Sequence, residues 1–108
     1  MGTPYVKESP IQDWVEDESR PLILTIPGAS AITGTPALKI YNGQTDTSAT
    51  NLVSTSGTTN GVDTVTTSVI QSLKGGQTYT LLISATVDGA TKKYLCVIGP
   101  VAFPYGEV

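Results

Sequence analysis

Residues 73–98 read LKGGQTYTLLISATVDGATKKYLCVI, and this stretch decides the fold of the chain. The Gly75-Gly76 pair permits a sharp corner, and Tyr79–Val87 has the composition and alternation of a long β-strand. Asp88-Gly89 is typical of the two-residue type I′ turn of a β-hairpin. The stretch therefore predicts a corner, a strand, a tight turn and a return strand that ends at Ile98.

The turn also predicts the register of this hairpin, because a two-residue turn places Val87 opposite Ala90. The face that we expect to form core pairs Tyr79, Leu81, Ile83 and Ala85 with Ile98, Cys96, Tyr94 and Lys92. The opposite face is polar apart from Leu82, Leu95 and Val97. Three clustered apolar side chains on a polar face favour an interaction surface, covered either by the chain's own termini or by a neighbouring molecule.

The corner carries the pattern Leu73-x-Gly75-Gly76-x-x-Tyr79, which resembles the E–F corner of fibronectin type III and related immunoglobulin-like domains. The resemblance implies that the leucine packs in the core, that a glycine permits the turn, and that the tyrosine hydroxyl bonds to the loop backbone. We therefore expect an all-β fold, an Ig-like or fibronectin type III-like antiparallel β-sandwich of six or seven short strands with extended N- and C-terminal arms.

Chain length and composition predict one domain with an arm at each end. A single domain is the natural count for 108 residues. Prolines and acids set residues 1–20 apart as an extended acidic N-terminal arm. The β-sandwich domain is predicted over residues 21–99, with a loop over residues 28–36 before a strand at Ala37–Tyr41. Residues 100–108 hold two prolines and two aromatics and are predicted to form an extended C-terminal arm.

Four of the seven aromatic side chains lie in the two predicted arms: Tyr5, Trp14, Phe103 and Tyr105. One alternative is that the arms fold back and cover their own domain. The other is that the aromatics dock onto neighbouring subunits, since aromatic side chains provide large contact areas at low entropic cost. We expect the second, and with it an interaction surface that also includes Leu82, Leu95 and Val97.

Charge and composition exclude several classes of function. The net charge is -3, and five of the nine acids precede Arg20, so we expect neither nucleic-acid binding nor a basic membrane-binding surface. The consecutive acids Glu16, Asp17 and Glu18 point in different directions, so no metal site is predicted. The start of the chain has neither the cationic nor the apolar segment of a signal peptide, and no transmembrane segment is predicted.

The chain also lacks the residues of common catalytic centres. It contains no histidine, which removes the usual serine and cysteine nucleophile arrangements, and its one cysteine, Cys96, is expected to be a buried apolar side chain. Asp88 is explained by the turn, and the other aspartates of the predicted sandwich lie in turns or at edges. We expect no enzymatic activity and no cofactor.

The N-terminal pattern Lys7-Glu8-x-Pro10-x-x-Asp13-Trp14, followed by a threonine-rich sandwich with the Tyr79–Val87 strand and Asp88-Gly89, resembles small Ig-like proteins of tailed-phage virions. That class includes fibre-tail adaptor, neck and decoration proteins. The resemblance implies a structural virion protein, made in the host bacterial cytoplasm, that assembles with other virion proteins and with copies of itself in a symmetric ring. Neck or tail adaptor, capsid decoration and baseplate remain alternative positions.

A second hypothesis belongs to a different class of protein. Small β-sandwiches also serve as carbohydrate- or surface-binding modules that present aromatic side chains on a flat sheet face. Tyr41 is the best candidate for such a platform in this sequence. The two hypotheses differ in oligomeric state, because a carbohydrate-binding module is expected to be a stable monomer.

Overall fold

The structure is a computed structural model that describes residues 4–103, and these residues form seven β-strands and one short helix. The strands are β1 (Ile23–Thr25), β2 (Ile32–Asn42), β3 (Thr45–Asp46), β4 (Thr58–Thr59), β5 (Thr64–Thr66), β6 (Tyr79–Val87) and β7 (Ala90–Ile98). The helix α1 spans Ser48–Asn51, between β3 and β4. High threonine and valine content with few helix-forming runs accounts for this predominance of strands.

The strands form two antiparallel sheets that pack into a β-sandwich. One sheet has the order β1-β5-β4 and the other the order β3-β2-β6-β7. These orders match the B-E-D and C-F-G sheets of immunoglobulin-type sandwiches, with β3 as an additional edge strand. The predicted all-β sandwich is confirmed.

The register predicted for the β6–β7 hairpin is also confirmed. All nine pairs are those expected from a two-residue turn, from Val87 opposite Ala90 to Tyr79 opposite Ile98. Every second residue of β6 is buried. The residues of β7 that lie opposite them are buried as well, except near the hairpin tip. The local sequence thus places the core at Tyr79, Leu81, Ile83, Ala85, Val87, Tyr94, Cys96 and Ile98.

The strand β2 is longer than the sequence predicts. The loop expected over residues 28–36 is wrong in its second half, because β2 begins at Ile32, which is buried opposite Val87. The pairing with β6 shifts between Thr33 and Ala37, where Gly34 has a φ of 72° and Pro36 lacks an N–H group. A bulge with glycine and proline has the local sequence of a loop, although the strand continues through it.

The corner before β6 has the geometry that the motif predicts. The Lys74 backbone N–H donates a hydrogen bond to the Tyr79 hydroxyl at 3.0 Å, and Leu73 is fully buried. Gly76 has a φ of 80°, which favours glycine. A Cβ atom on Gly75 would lie only 2.5 Å from the Phe103 ring, so a close packing contact, and not a positive φ, favours glycine at position 75.

The described parts of the two predicted arms, residues 4–20 and 100–103, pack against the sandwich. The N-terminal segment, residues 4–18, runs parallel to β7 and beyond it, through isolated bridges of Tyr5 with Leu95, Ile11 with Ile98 and Val15 with Ala102. An uncovered edge of β7 would expose unpaired backbone groups, and this segment covers it. The boundaries at residues 20 and 100 therefore separate segments of the chain that share one core.

The N-terminal segment also joins the two sheets. Val6 N–H donates to the carbonyl of Leu95 in β7, and Lys7 N–H donates to the carbonyl of Thr25 in β1, both at 3.0 Å. The Glu8 carboxylate accepts from the Thr25 N–H at 2.7 Å and from the Thr25 hydroxyl at 2.8 Å. The segment thus closes one side of the sandwich by bonding to a strand of each sheet.

Candidate interaction surface

The outer face of the four-stranded sheet brings together four of the seven side chains predicted to make contacts. In β6 and β7, Leu82 lies opposite Leu95, and Leu95 is bridged in turn to Tyr5 of the N-terminal segment. Bridged residues point to the same side of a sheet, so Tyr5 shares the outer face with Leu95. Val97 lies two residues further along β7 on this face. We call Tyr5, Leu82, Leu95 and Val97 the apolar patch.

The apolar patch is partly exposed to solvent in the isolated chain. Tyr5 has 51% of its surface exposed, and Leu82, Leu95 and Val97 are each half-buried. The neighbouring Val6 is buried, so the alternation of exposed and buried residues continues from the strands into the N-terminal segment. The parts of the chain that the structure describes therefore cover this patch only in part.

A depression of about 280 Å³ lies beside the apolar patch on the same side of the sheet. Leu82 lines both, and two lysines, Lys39 of β2 and Lys93 of β7, also line the depression. Leu38, a buried core residue, also lines it, and the remaining lining residues are small or polar: Ala37, Asp46, Ser48, Thr55 and Ser84. The register explains this grouping, because Lys39 lies opposite Leu82, and Ser84 lies between Ala37 and Lys93.

Asp46 is the acidic residue of the depression, and its carboxylate is held by Ser48. The Ser48 hydroxyl donates to Asp46 Oδ1 at 2.6 Å, and the Ser48 N–H donates to the same oxygen at 2.9 Å. These hydrogen bonds, the hydroxyl first, lower the pKa of Asp46, and the positive charge of Lys39 adds to the effect. Asp46 is therefore ionised near neutral pH and offsets one of the two lysines.

Trp14 lies elsewhere, and its position corrects the prediction that it docks onto a neighbouring subunit. Its side chain is 0% exposed and belongs to the core of its own chain. The Arg20 guanidinium lies 4.6 Å from the centroid of the Trp14 ring, and Arg20 pairs with Asp13 at 2.9 Å and with Glu18 at 2.7 Å. Among residues 4–103 the Trp14 Nε1–H has no hydrogen-bond acceptor, so Trp14 stabilises the fold through its ring rather than its polar atom.

Phe103 also packs onto its own domain. Its ring lies against Gly75 and Gly76 at the corner and is half-buried there. The backbone beside it is tied down, since Gly76 N–H donates to the Val101 carbonyl at 2.7 Å. For Phe103, as for Trp14, the alternative that the termini fold back applies, and the packing of its ring corrects the prediction that it docks onto a neighbouring subunit. Tyr105 lies outside the described residues.

The other titratable and polar groups offer little chemistry. Burial raises the pKa of the Cys96 thiol to about 12, with the Glu8 carboxylate adding to the shift, so the thiol stays protonated. Within residues 4–103 no three acidic or cysteine side chains gather into a group that could hold a metal ion. No helix in that part of the chain has the length and apolar character needed to cross a membrane.

Comparison with known proteins adds no assignment. No family model matches the chain, and no curated protein or solved structure matches it. The surface itself and the resemblance described above are therefore what support a function for this chain.

The sequence predicts the hairpin members of this surface but not its extent. Leu82, Leu95 and Val97 follow from the turn register alone. Tyr5 joins them through a parallel bridge across 90 residues of chain, and Lys39 joins the depression through the bulged pairing of β2 with β6.

Proposed function

We propose that this chain is a structural protein of a tailed-phage particle that binds other virion proteins through the apolar patch. The observation that carries the proposal is the convergence of Tyr5, Leu82, Leu95 and Val97 on an otherwise polar sheet face. Contiguous apolar surface with a polar rim is typical of protein–protein contact sites. The phage context rests on the resemblance of the N-terminal pattern and of the Tyr79–Val87 hairpin.

A structural role also agrees with the chemistry of the described residues. The cysteine is buried and protonated, the described carboxylates are exposed or hydrogen-bonded within the chain, and the chain has no histidine. What the fold offers instead is a rigid sheet face, because β6 pairs along its full length with β7 and with most of β2. A rigid face presents its side chains to a partner with little loss of conformational freedom on binding.

The proposal is tested by a matched pair of substitutions on the outer face of β6. Leu82→Asp places a charge in the apolar patch, and Thr86→Asp places the same charge four residues further along the strand. Static light scattering over a concentration series should show an assembly for the wild type and for Thr86→Asp, and a smaller species for Leu82→Asp. Co-sedimentation with phage particles on a density gradient should follow the same order. Equal behaviour of the two variants in both assays would contradict the proposal.

A carbohydrate- or surface-binding module is the second candidate, and one observation favours it. Tyr41 lies on β2 and Tyr5 lies on the N-terminal segment, and both belong to the outer face of the same sheet. Three strand spacings separate them, or roughly 14 Å. Affinity electrophoresis in polysaccharide gels tests this reading: retardation that Tyr41→Ala abolishes, together with a monomeric mass, would favour it over assembly.

A further inference from the structure

The turn at Asp13–Glu18, which we call the acidic turn, combines one exposed apolar side chain with four carboxylates. Val15 is 39% exposed, and Asp17 lies at the tip with a φ of 69°. Two hydrogen bonds hold the turn: Glu18 N–H donates to the Val15 carbonyl, and Val15 N–H donates to Glu18 Oε1, both at 3.0 Å. The acidic turn is therefore a preorganised surface feature.

The carboxylates of the acidic turn differ in how far they are already paired. Arg20 pairs with Asp13 and Glu18, and Glu16 accepts from the Gly75 N–H at 2.9 Å. Asp17 is exposed and makes no hydrogen bond or ion pair within residues 4–103. Asp13, although paired, has 79% of its side chain exposed. Negative charge thus projects from the turn on both sides of Val15.

The depression on the outer sheet face combines apolar surface with positive charge, whereas the acidic turn combines it with negative charge. Leu82 supplies apolar surface, and Lys39 and Lys93 supply positive charge on the two strands that flank β6. Asp46, the acid of the depression, already accepts two hydrogen bonds from Ser48. Two of the six cationic residues of an acidic chain therefore face one opening.

The acidic turn of a given copy is held away from its own depression and cannot fill it. The straight strand β7 carries the chain about 17 Å from Lys93 to Ile98. The turn is fixed beyond that end of β7, because Val15 is bridged to Ala102 and the Glu16 N–H donates to the Ala102 carbonyl at 2.7 Å. The matching surface must therefore come from a second molecule.

We propose that the acidic turn of one copy docks in the depression of the next, with Val15 against Leu82 and Asp17 between Lys39 and Lys93. The inference rests on the proposed function, because it names a second copy as one partner of the outer face. Two different surfaces meet in this contact, so the association is head-to-tail and generates a ring or a filament. The apolar contact supplies affinity, and the charges supply orientation and fast association that salt screens.

Charge reversal on each side of the contact gives a direct test. One variant carries Lys39→Glu and Lys93→Glu, and the other carries Asp13→Lys and Asp17→Lys. Each alone should raise the dissociation constant for self-association at least about tenfold in sedimentation velocity. An equimolar mixture should recover association to within about threefold of the wild type, because each reversed surface then meets its complement. Circular dichroism melting of each variant verifies that it is folded.

A control variant and the possible contrary results distinguish a failure of this inference from a failure of the proposed function. Lys74→Glu with Lys92→Glu changes the net charge as much as the depression variant does and should leave association unchanged. Failure of the mixture to associate overturns the inference, and so does a wild type that is monomeric at every concentration. If Leu82→Asp still abolishes binding to phage particles in that case, the outer face remains the interface and only the second-copy occupant is wrong.

Discussion

The β6–β7 hairpin and the N-terminal segment lie side by side in the same sheet, yet they are held by different kinds of pairing. The hairpin forms a continuous antiparallel ladder of nine pairs closed by a two-residue turn. The N-terminal segment forms three separate parallel bridges and is anchored by the buried side chains of Val6 and Trp14. Regular pairing is encoded within a short stretch of sequence, whereas the irregular segment depends on side chains that find partners far along the chain.

This difference sets the order of the expected effects of substitution. If long-range packing holds the N-terminal segment in place, its buried anchor should contribute more stability than any single local hydrogen bond.

Replacing Trp14 by alanine should have the largest effect, a loss of about 3–5 kcal/mol in the free energy of unfolding. The whole indole is buried, so its removal leaves a cavity and an unsupported Arg20. The measurement is a urea titration followed by circular dichroism, with Tyr5→Ala as the control within the same segment. Tyr5→Ala should change the stability by no more than about 0.5 kcal/mol, since Tyr5 is exposed. Equal small effects would mean that the segment is a loose arm after all.

Gly75→Ala should be next, at about 2–3 kcal/mol, because the added Cβ would lie 2.5 Å from the Phe103 ring. The contact joins the corner to the C-terminal end of the described chain. A double-mutant cycle with Phe103→Ala isolates it: once the ring is removed, the added methyl should cost much less. Additive costs in the cycle would show that the loss of stability on Gly75→Ala does not come from the contact with the Phe103 ring.

The difference between local and long-range contacts explains which features the sequence could predict. The hairpin register, the corner hydrogen bond and three members of the apolar patch follow from residues within a few positions of a recognisable turn. The N-terminal segment could not be placed, since three isolated bridges with uneven spacing leave no periodic pattern in residues 4–18. The burial of Trp14 and the contact of Phe103 with Gly75 depend on which distant surfaces meet, and local propensity carries no information about that. The depression was missed because the bulge in β2 hides the register of Lys39.

Tyr79→Phe tests a contact of shorter range and should cost about 1–2 kcal/mol. The change removes the hydroxyl that accepts from the Lys74 N–H and leaves that donor without its partner in a half-buried corner. Tyr41→Phe, on the outer sheet face, is the matched control and should be close to neutral. A denaturant titration in which the two variants are indistinguishable would show that the corner hydrogen bond contributes nothing to stability.

Asp46→Asn should have the smallest effect, because the bonds concerned reach only to Ser48 and the Asp46 side chain is itself exposed to solvent. The hydrogen bonds from Ser48 hold the pKa of Asp46 below its ordinary value, so the ionised form stabilises the folded state. That contribution is present above the pKa of the unfolded state and is lost as the pH falls through the folded pKa. Thermal midpoints of the wild type and the variant should therefore differ slightly at pH 7 and converge in acid. Midpoints that stay equally far apart at every pH would show that the loss comes from altered packing and not from the carboxylate charge.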